Sequence, residues 1–261
     1  MNIALCDVSA IIISESLHMT APPNPASLGQ FNTLLRGEAE LLHGWLRDGD
    51  ATKMLRDVAV IVVGAGLYGA AMGWWRAPEQ ALFVAIKFPL IIILTTLGNA
   101  LLNAMLAPLL GLNITMRQSL HAVLMSCTIS AAILGAFAPL TAFMVWNAPP
   151  LTEHFATSRT TYSCIQLAHV VIIAFAGIAG NARLFQLLQR LADGNRRVAR
   201  RVMFAWLAGN LFLGSQLSWV LRPFIGSPHL PVEFFRAHAM AGGFFESVFN
   251  SFVYLFKLIF H

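Results

Sequence analysis

The chain has 261 residues, 57% of them apolar and only 11% charged, with a mean hydropathy of +0.67; an ordinary soluble domain carries roughly 25% charged residues. This composition excludes a water-soluble fold of this size, a disordered chain and a disulfide scaffold, and leaves an integral membrane protein. The formal charge of +5, from 17 Lys and Arg against 12 Asp and Glu, reads as loop residues that set membrane orientation and not as a nucleic-acid footprint.

Residues 1–26 begin with an apolar run, Ala10 to Ile13, that follows Asp7 and no basic residue. A secretory signal has a basic start and a longer apolar region. The segment is expected to be a disordered tail or a start assigned too far upstream, with Met19 as the alternative. Over residues 27–56, Leu28, Phe31, Leu34, Leu35, Leu41, Leu42, Trp45 and Leu46 recur at three- and four-residue spacing between charged residues. That pattern predicts a cytoplasmic amphipathic helix along the membrane interface, with Ser27 and Gln30 as a capping box.

Five stretches then approach the ~20 residues needed to cross a bilayer. They run from Val58 to Trp75, about Ala81 to Leu109, Leu120 to Trp146, Tyr162 to Leu187 and Val202 to Leu221. Residues 57–222 are therefore expected to form a five-span bundle. A last segment, Gly243 to Phe260, sets Phe245, Val248, Phe249, Phe252, Phe256 and Ile259 on one face and is interrupted by Glu246, Asn250 and Lys257. It reads as an interfacial or re-entrant helix in preference to a sixth span. The expected fold is an all-α polytopic bundle with amphipathic helices at both ends.

Basic residues set the orientation. Arg36, Arg47, Lys53, Arg56, Arg117 and the six arginines between 183 and 201 fall on one side, eleven in all. Five fall on the other: Arg76, Arg159, Arg222, Arg236 and Lys257. The positive-inside rule makes the first side, with the N-terminus, cytoplasmic. Lys87, within two turns of the outer end of the second span, is expected to snorkel to the surface.

Small residues at four-residue spacing, among them Ala65, Gly69 and Gly73, predict close helix packing, with the Gly69/Gly73 face open to a homodimer. Cys127 and Cys164 fall in apolar stretches and read as buried thiols. The carboxylates avoid the middle of all five spans, which argues against proton-coupled transport and an intramembrane aspartyl protease. His121 and His169 would lie at different depths, so no haem is expected, and Glu153, His154, His229 and His238 do not compose a metal site. Catalytic fingerprints such as H-E-x-x-H and G-x-S-x-G are missing, so neither a catalytic residue nor a cofactor is assigned.

Two sets of residues remain as candidates. Thr96, Asn99, Asn103 and Asn210 are polar at depth and could line a path between spans, although interhelical hydrogen bonding accounts for them too. At the end of the fifth span, Gln216, Trp219 and Arg222 precede a segment whose prolines and glycine break the helix, with Glu233 beyond. Residues 223–261 are thus expected to form an outward-facing turn and the amphipathic C-terminal helix, a cap able to bind a protein partner, a lipid headgroup or an anion.

The stretch Gly214-Ser-Gln-Leu-Ser-Trp-Val-Leu-Arg-Pro-Phe-Ile-Gly-Ser-Pro228, with Lys87-Phe88-Pro89 and Arg117-Gln118-Ser119-Leu120, resembles the signature of a family of uncharacterised bacterial inner-membrane proteins. The resemblance covers about residues 55–250 and implies a multi-pass inner-membrane protein without implying an activity. The topology alone is similar to that of the Yip family. The expected function is that of a non-enzymatic scaffold or accessory subunit, partnered by the bilayer and by another protein or a second copy of itself. A small channel or permease subunit is the alternative.

Overall fold

In a water-soluble helix one stripe is apolar and turns inward; here the stretches are apolar on nearly every side, and they fold as long helices. The computed structural model describes residues 51–149, 155–226, 231–236 and 242–260, all within a unit that spans Ala39–His261. The expected tail at 1–26 lies outside these residues, as does the expected amphipathic segment up to residue 50. The described residues form six helices and no strand: α1 (Ala51–Gly73), α2 (Pro78–Leu109), α3 (Met116–Trp146), α4 (Phe155–Leu191), α5 (Arg196–Val220) and α6 (Phe244–Phe260).

Four of them, α1, α2, α3 and the Ser158–Leu191 portion of α4, are long and apolar enough to cross a membrane. The fifth expected span coincides with α5. Its 25 residues reach about 37 Å at 1.5 Å per residue. Arg196, Arg197, Arg200 and Arg201 in its first turns make it less apolar than the other four.

The burial pattern is that of a protein in lipid. Leu67, Leu82, Met105, Phe143, Val171, Ile178, Phe204 and Phe212 point outward. Gln80, Lys87, Asn99, Asn103, Ser119, Thr128, Thr141 and His169 are buried. Because lipid tails are as apolar as leucine, greasy side chains gain nothing by turning inward, and polar groups find partners only in the interior.

α1 lies between α2 and α3, α4 packs on α3, and α5 packs on α2 and α4. The α1–α3 crossing is backbone on backbone: a Cβ on Gly135 would come within 2.9 Å of the Gly64 Cα, and one on Gly64 would clash with the Ala131 carbonyl. Gly69 is spent the same way against α2, where a Cβ would meet the Val84 carbonyl at 2.7 Å. The Gly69/Gly73 face is therefore occupied within the chain and is not open to a homodimer. Its small residues serve the α1–α2 seam, since Gly73 abuts Gln80 and Ala81.

Three prolines lie inside helices: Pro89 and Pro108 in α2 and Pro139 in α3. Each lacks the N–H that would bond four residues back. The carbonyl that Pro89 leaves free, that of Ala85, faces Gly66 of α1, where a Cβ would stand 3.3 Å away. α3 begins with a capping box in which the Thr115 hydroxyl accepts from the Gln118 backbone and the Gln118 side chain accepts from the Thr115 backbone.

α6 is held by its polar side chains. Ser251 donates to the Gln166 side-chain oxygen at 2.6 Å, the Gln166 amide donates to the Ser247 hydroxyl at 3.2 Å, and Tyr254 reaches Thr160. These pairings make α6 antiparallel to the first part of α4. Phe245, Phe249, Phe252 and Phe256 point away from the bundle.

Candidate functional site

The six residues from Leu221 to Gly226 turn in against the bundle instead of projecting from it. Leu221 and Ile225 are buried, and the Phe224 ring meets that of Phe88 on α2 edge-on at 6.4 Å. Gln80, fully buried near the start of α2, donates its side-chain amide to the carbonyls of Pro223 and Phe224 at 2.8 and 3.0 Å. Gly226 has a φ of +85° and lies against Arg76, with a hypothetical Cβ only 2.7 Å from the arginine stem. A left-handed residue pressed on a side chain has to be glycine. Much of the segment following α5 is thus an anchor.

Arg222 stacks on Trp219, its guanidinium carbon 3.8 Å from the ring centroid, and donates to the Trp219 carbonyl at 2.9 Å. The Trp219 ring in turn presses on Gly242, the approach to α6. Burial first, and the charge of Arg236 second, hold the Arg222 pKa below the ordinary arginine range. Of the other cap candidates, Gln216 and Glu233 are exposed.

Lys87 differs from expectation. It is fully buried and does not snorkel to the surface. Its ammonium sits among three phenylalanine rings, 4.5 Å from the centroid of Phe234, 5.8 Å from Phe235 and 5.9 Å from Phe83. Phe234 packs edge-on against both Phe83 and Phe235. The Lys87 Nζ has no hydrogen-bond partner among the described residues. The stem does run toward the end of the bundle, as snorkelling requires, but the chain's own segment 231–236 lies over it.

Lys87 also opens a polar stripe. At four-residue spacing along α2 come Lys87, Thr95, Asn99 and Asn103, with Ile91 in the one apolar position. Thr95 lies beside Gly214 of α5, and Asn99 donates to the Trp206 carbonyl at 3.4 Å. Buried atoms without a partner among the described residues accumulate along this α2–α5 seam: the Thr95 hydroxyl, the Asn99 side-chain oxygen, both polar atoms of Asn103, the Trp206 indole N–H and the Asn210 oxygen. The predicted path residues Asn99, Asn103 and Asn210 fall here. Thr96 does not: it turns to α3, bonding the Ile92 carbonyl at 2.7 Å and the Cys127 sulfur at 3.2 Å. Thr95 takes its place.

Other polar groups are structural. The Tyr68 hydroxyl and His169 Nδ1 are 2.8 Å apart in the core between α1 and α4. Asp57, expected to precede the first span, lies within α1 and is buried, 3.7 Å from Arg56. Cys164, expected to be buried, is exposed, while Cys127 is half-buried. No group of three or more His, Cys, Asp or Glu able to hold a metal ion occurs among the described residues. Between α1 and α3, Leu67, Trp74, Pro139 and Trp146 flank an apolar groove of about 380 Å³.

Sequence reasoning missed Gln80, Thr95, Trp206 and Arg236 as members of these sites. Lys87, Thr95, Asn99 and Asn103 are the only case with a usable signal, a four-residue recurrence that survives one apolar gap. Set against family models, curated proteins and solved structures, the chain matches none of them.

Proposed function

We propose that this chain is a non-enzymatic membrane protein that acts as a scaffold or accessory subunit, its cap docking a protein partner at the outer face of a bacterial inner membrane. In this reading α5 is the fifth span, α6 stays at the cap end, and the arginine-rich end of the bundle with the N-terminus is cytoplasmic. The Gly214–Pro228 stretch, which resembles the signature of an inner-membrane family, supports the membrane part of this reading. The observation that carries the reading is the packing of Phe234 on Phe83 of α2, beside the 221–226 anchor held by Gln80 and Phe88, with Glu233 and Phe235 exposed. A photo-reactive residue in place of Phe235 tests it in native membranes: one discrete crosslinked species supports docking, and an uncrosslinked protein overturns it.

A second reading, a small permease or channel subunit, is favoured by one observation, the run of unpartnered polar atoms along the α2–α5 seam. Such atoms in a low-dielectric interior call for water or a polar solute. Reconstitution into vesicles decides it: swelling in small polar solutes that Asn99→Leu abolishes supports a path, and solute-tight vesicles exclude one.

A further inference from the structure

Lys87 of α2, Arg222 at the end of α5 and Arg236 of the 231–236 segment bring three cations to one end of the bundle. Arg236 acts electrostatically on both of the others. Arg222 has a ring beneath it and a carbonyl beside it. Among the described residues Lys87 has only rings. Their negative faces attract an ammonium, but they accept none of its three N–H donors in conventional hydrogen bonds. A buried ammonium with no acceptor is costly, and the like charge of Arg236 nearby adds to the cost. An anion with several acceptor oxygens answers all three groups, since guanidinium and ammonium both bond phosphate oxygens strongly.

We infer that Lys87, Arg222 and Arg236 form a phosphate site at the cap, roofed by Phe234 and Phe235 and backed by Phe83, that takes the phosphate of an anionic lipid headgroup or of a solute. Lys87 lies nine residues after Pro78, about 13 Å along the helix, a depth from which its side chain reaches toward the headgroups. Trp219 beneath Arg222 belongs to the residue type that settles at that level. The apolar rings beside the cations suit a ligand with both a phosphate and a hydrocarbon part. The inference builds on the proposed cap but is tested apart from docking, because binding is read on the purified protein and docking in native membranes.

The experiment uses the full chain in nanodiscs of phosphatidylcholine, with and without phosphatidylglycerol, and separately in a zwitterionic detergent titrated with inorganic phosphate. Native mass spectrometry reads retained lipid and thermal unfolding reads saturable stabilisation. The wild type is expected to retain phosphatidylglycerol over phosphatidylcholine. Lys87→Met and Arg236→Gln are each expected to weaken retention about tenfold or more, the loss of one charge-assisted bond. Competition by inorganic phosphate identifies the phosphate group itself as the ligand, whereas retention of phosphatidylglycerol without competition assigns the site to lipid. Should Lys87→Met fail to fold, Arg236→Gln and Lys87→Arg carry the test. A wild type that binds neither probe, or variants that fold and bind as it does, would overturn the inference.

Discussion

Gln80 of α2 donates its side-chain amide to the carbonyl of Pro223, 2.8 Å away and 143 residues further along the chain. The same nitrogen serves Phe224. Two backbone acceptors buried beside a helix end would otherwise go unmet, because a chain broken by proline cannot satisfy them locally.

Gln80→Leu should therefore loosen the cap without unfolding the bundle. Leaving buried carbonyls without a donor costs about 1–3 kcal/mol. Thermal unfolding in detergent should shift down accordingly, and limited proteolysis should cut within 221–236 sooner than in the wild type. Unchanged proteolysis would show that the glutamine does not hold the segment.

Gly64→Val should be among the most damaging single changes, since its Cβ position is already taken by the backbone of α3. Overpacking of this kind costs about 1–3 kcal/mol or more. Gly177→Ala is the matched control. Nothing lies within 4 Å of its Cβ position, and alanine improves helix propensity by up to about 1 kcal/mol. Unfolding midpoints of the two variants should move in opposite directions.

Tyr68→Phe removes the hydroxyl that meets His169 and should cost only about 0.6 kcal/mol, the average for an interhelical hydrogen bond in a membrane. The ring contacts with Phe88 and the His169 imidazole remain. A far larger loss, measured by unfolding in mixed micelles, would mean that the hydroxyl also organises groups beyond the imidazole.

Asn103→Leu separates the two readings of the seam. Both polar atoms of Asn103 lack partners among the described residues, so in a dry scaffold leucine should leave stability equal or raise it, as an apolar group of similar size needs no partner. A cysteine at 103, in a background without Cys6, Cys127 and Cys164, should then resist membrane-impermeant maleimide. Rapid labelling would favour the water-filled path.

A reporter fused after His261 tests the topology. The proposed five spans and cytoplasmic N-terminus would put that end outside, so alkaline phosphatase should be active there and a fluorescent protein that matures only in the cytoplasm should stay dark. The converse pattern would require another crossing.

The helices themselves were the most legible part of the sequence, because a bilayer demands unbroken apolar runs and Trp75, Leu109 and Trp146 end such runs close to the observed ends. The Thr115–Gln118 cap follows the same Thr-x-x-Gln pattern but was not among the expectations, whose one capping box, Ser27 with Gln30, lies outside the described residues. Lys87 was not legible: its helix position predicts its depth, but only the arrival of Phe234, 147 residues later, decides that it meets rings instead of water. The Gly69 face failed for a related reason. A stripe of small residues announces close approach and leaves the approaching helix unnamed, which here is the neighbouring α2. On the seam, Thr95 and Thr96 differ by one residue and hence by about 100° around the helix, so the choice between them depended on where α5 and α3 lie.

The enclosure of Lys87 by Phe234 and Phe235 carries a temporal consequence. At about 5–20 residues per second, the ribosome adds the 147 residues separating Lys87 from Phe234 in roughly 7–30 s. Throughout that interval Lys87 exists while its aromatic roof does not, and α2 is complete once Leu109 has been added. The nascent helix must hold that charge at the membrane surface or lend it to a passing lipid phosphate. A chain stopped before residue 231 would carry α1 to α5 but lack both α6 and the lid over the buried ammonium of Lys87.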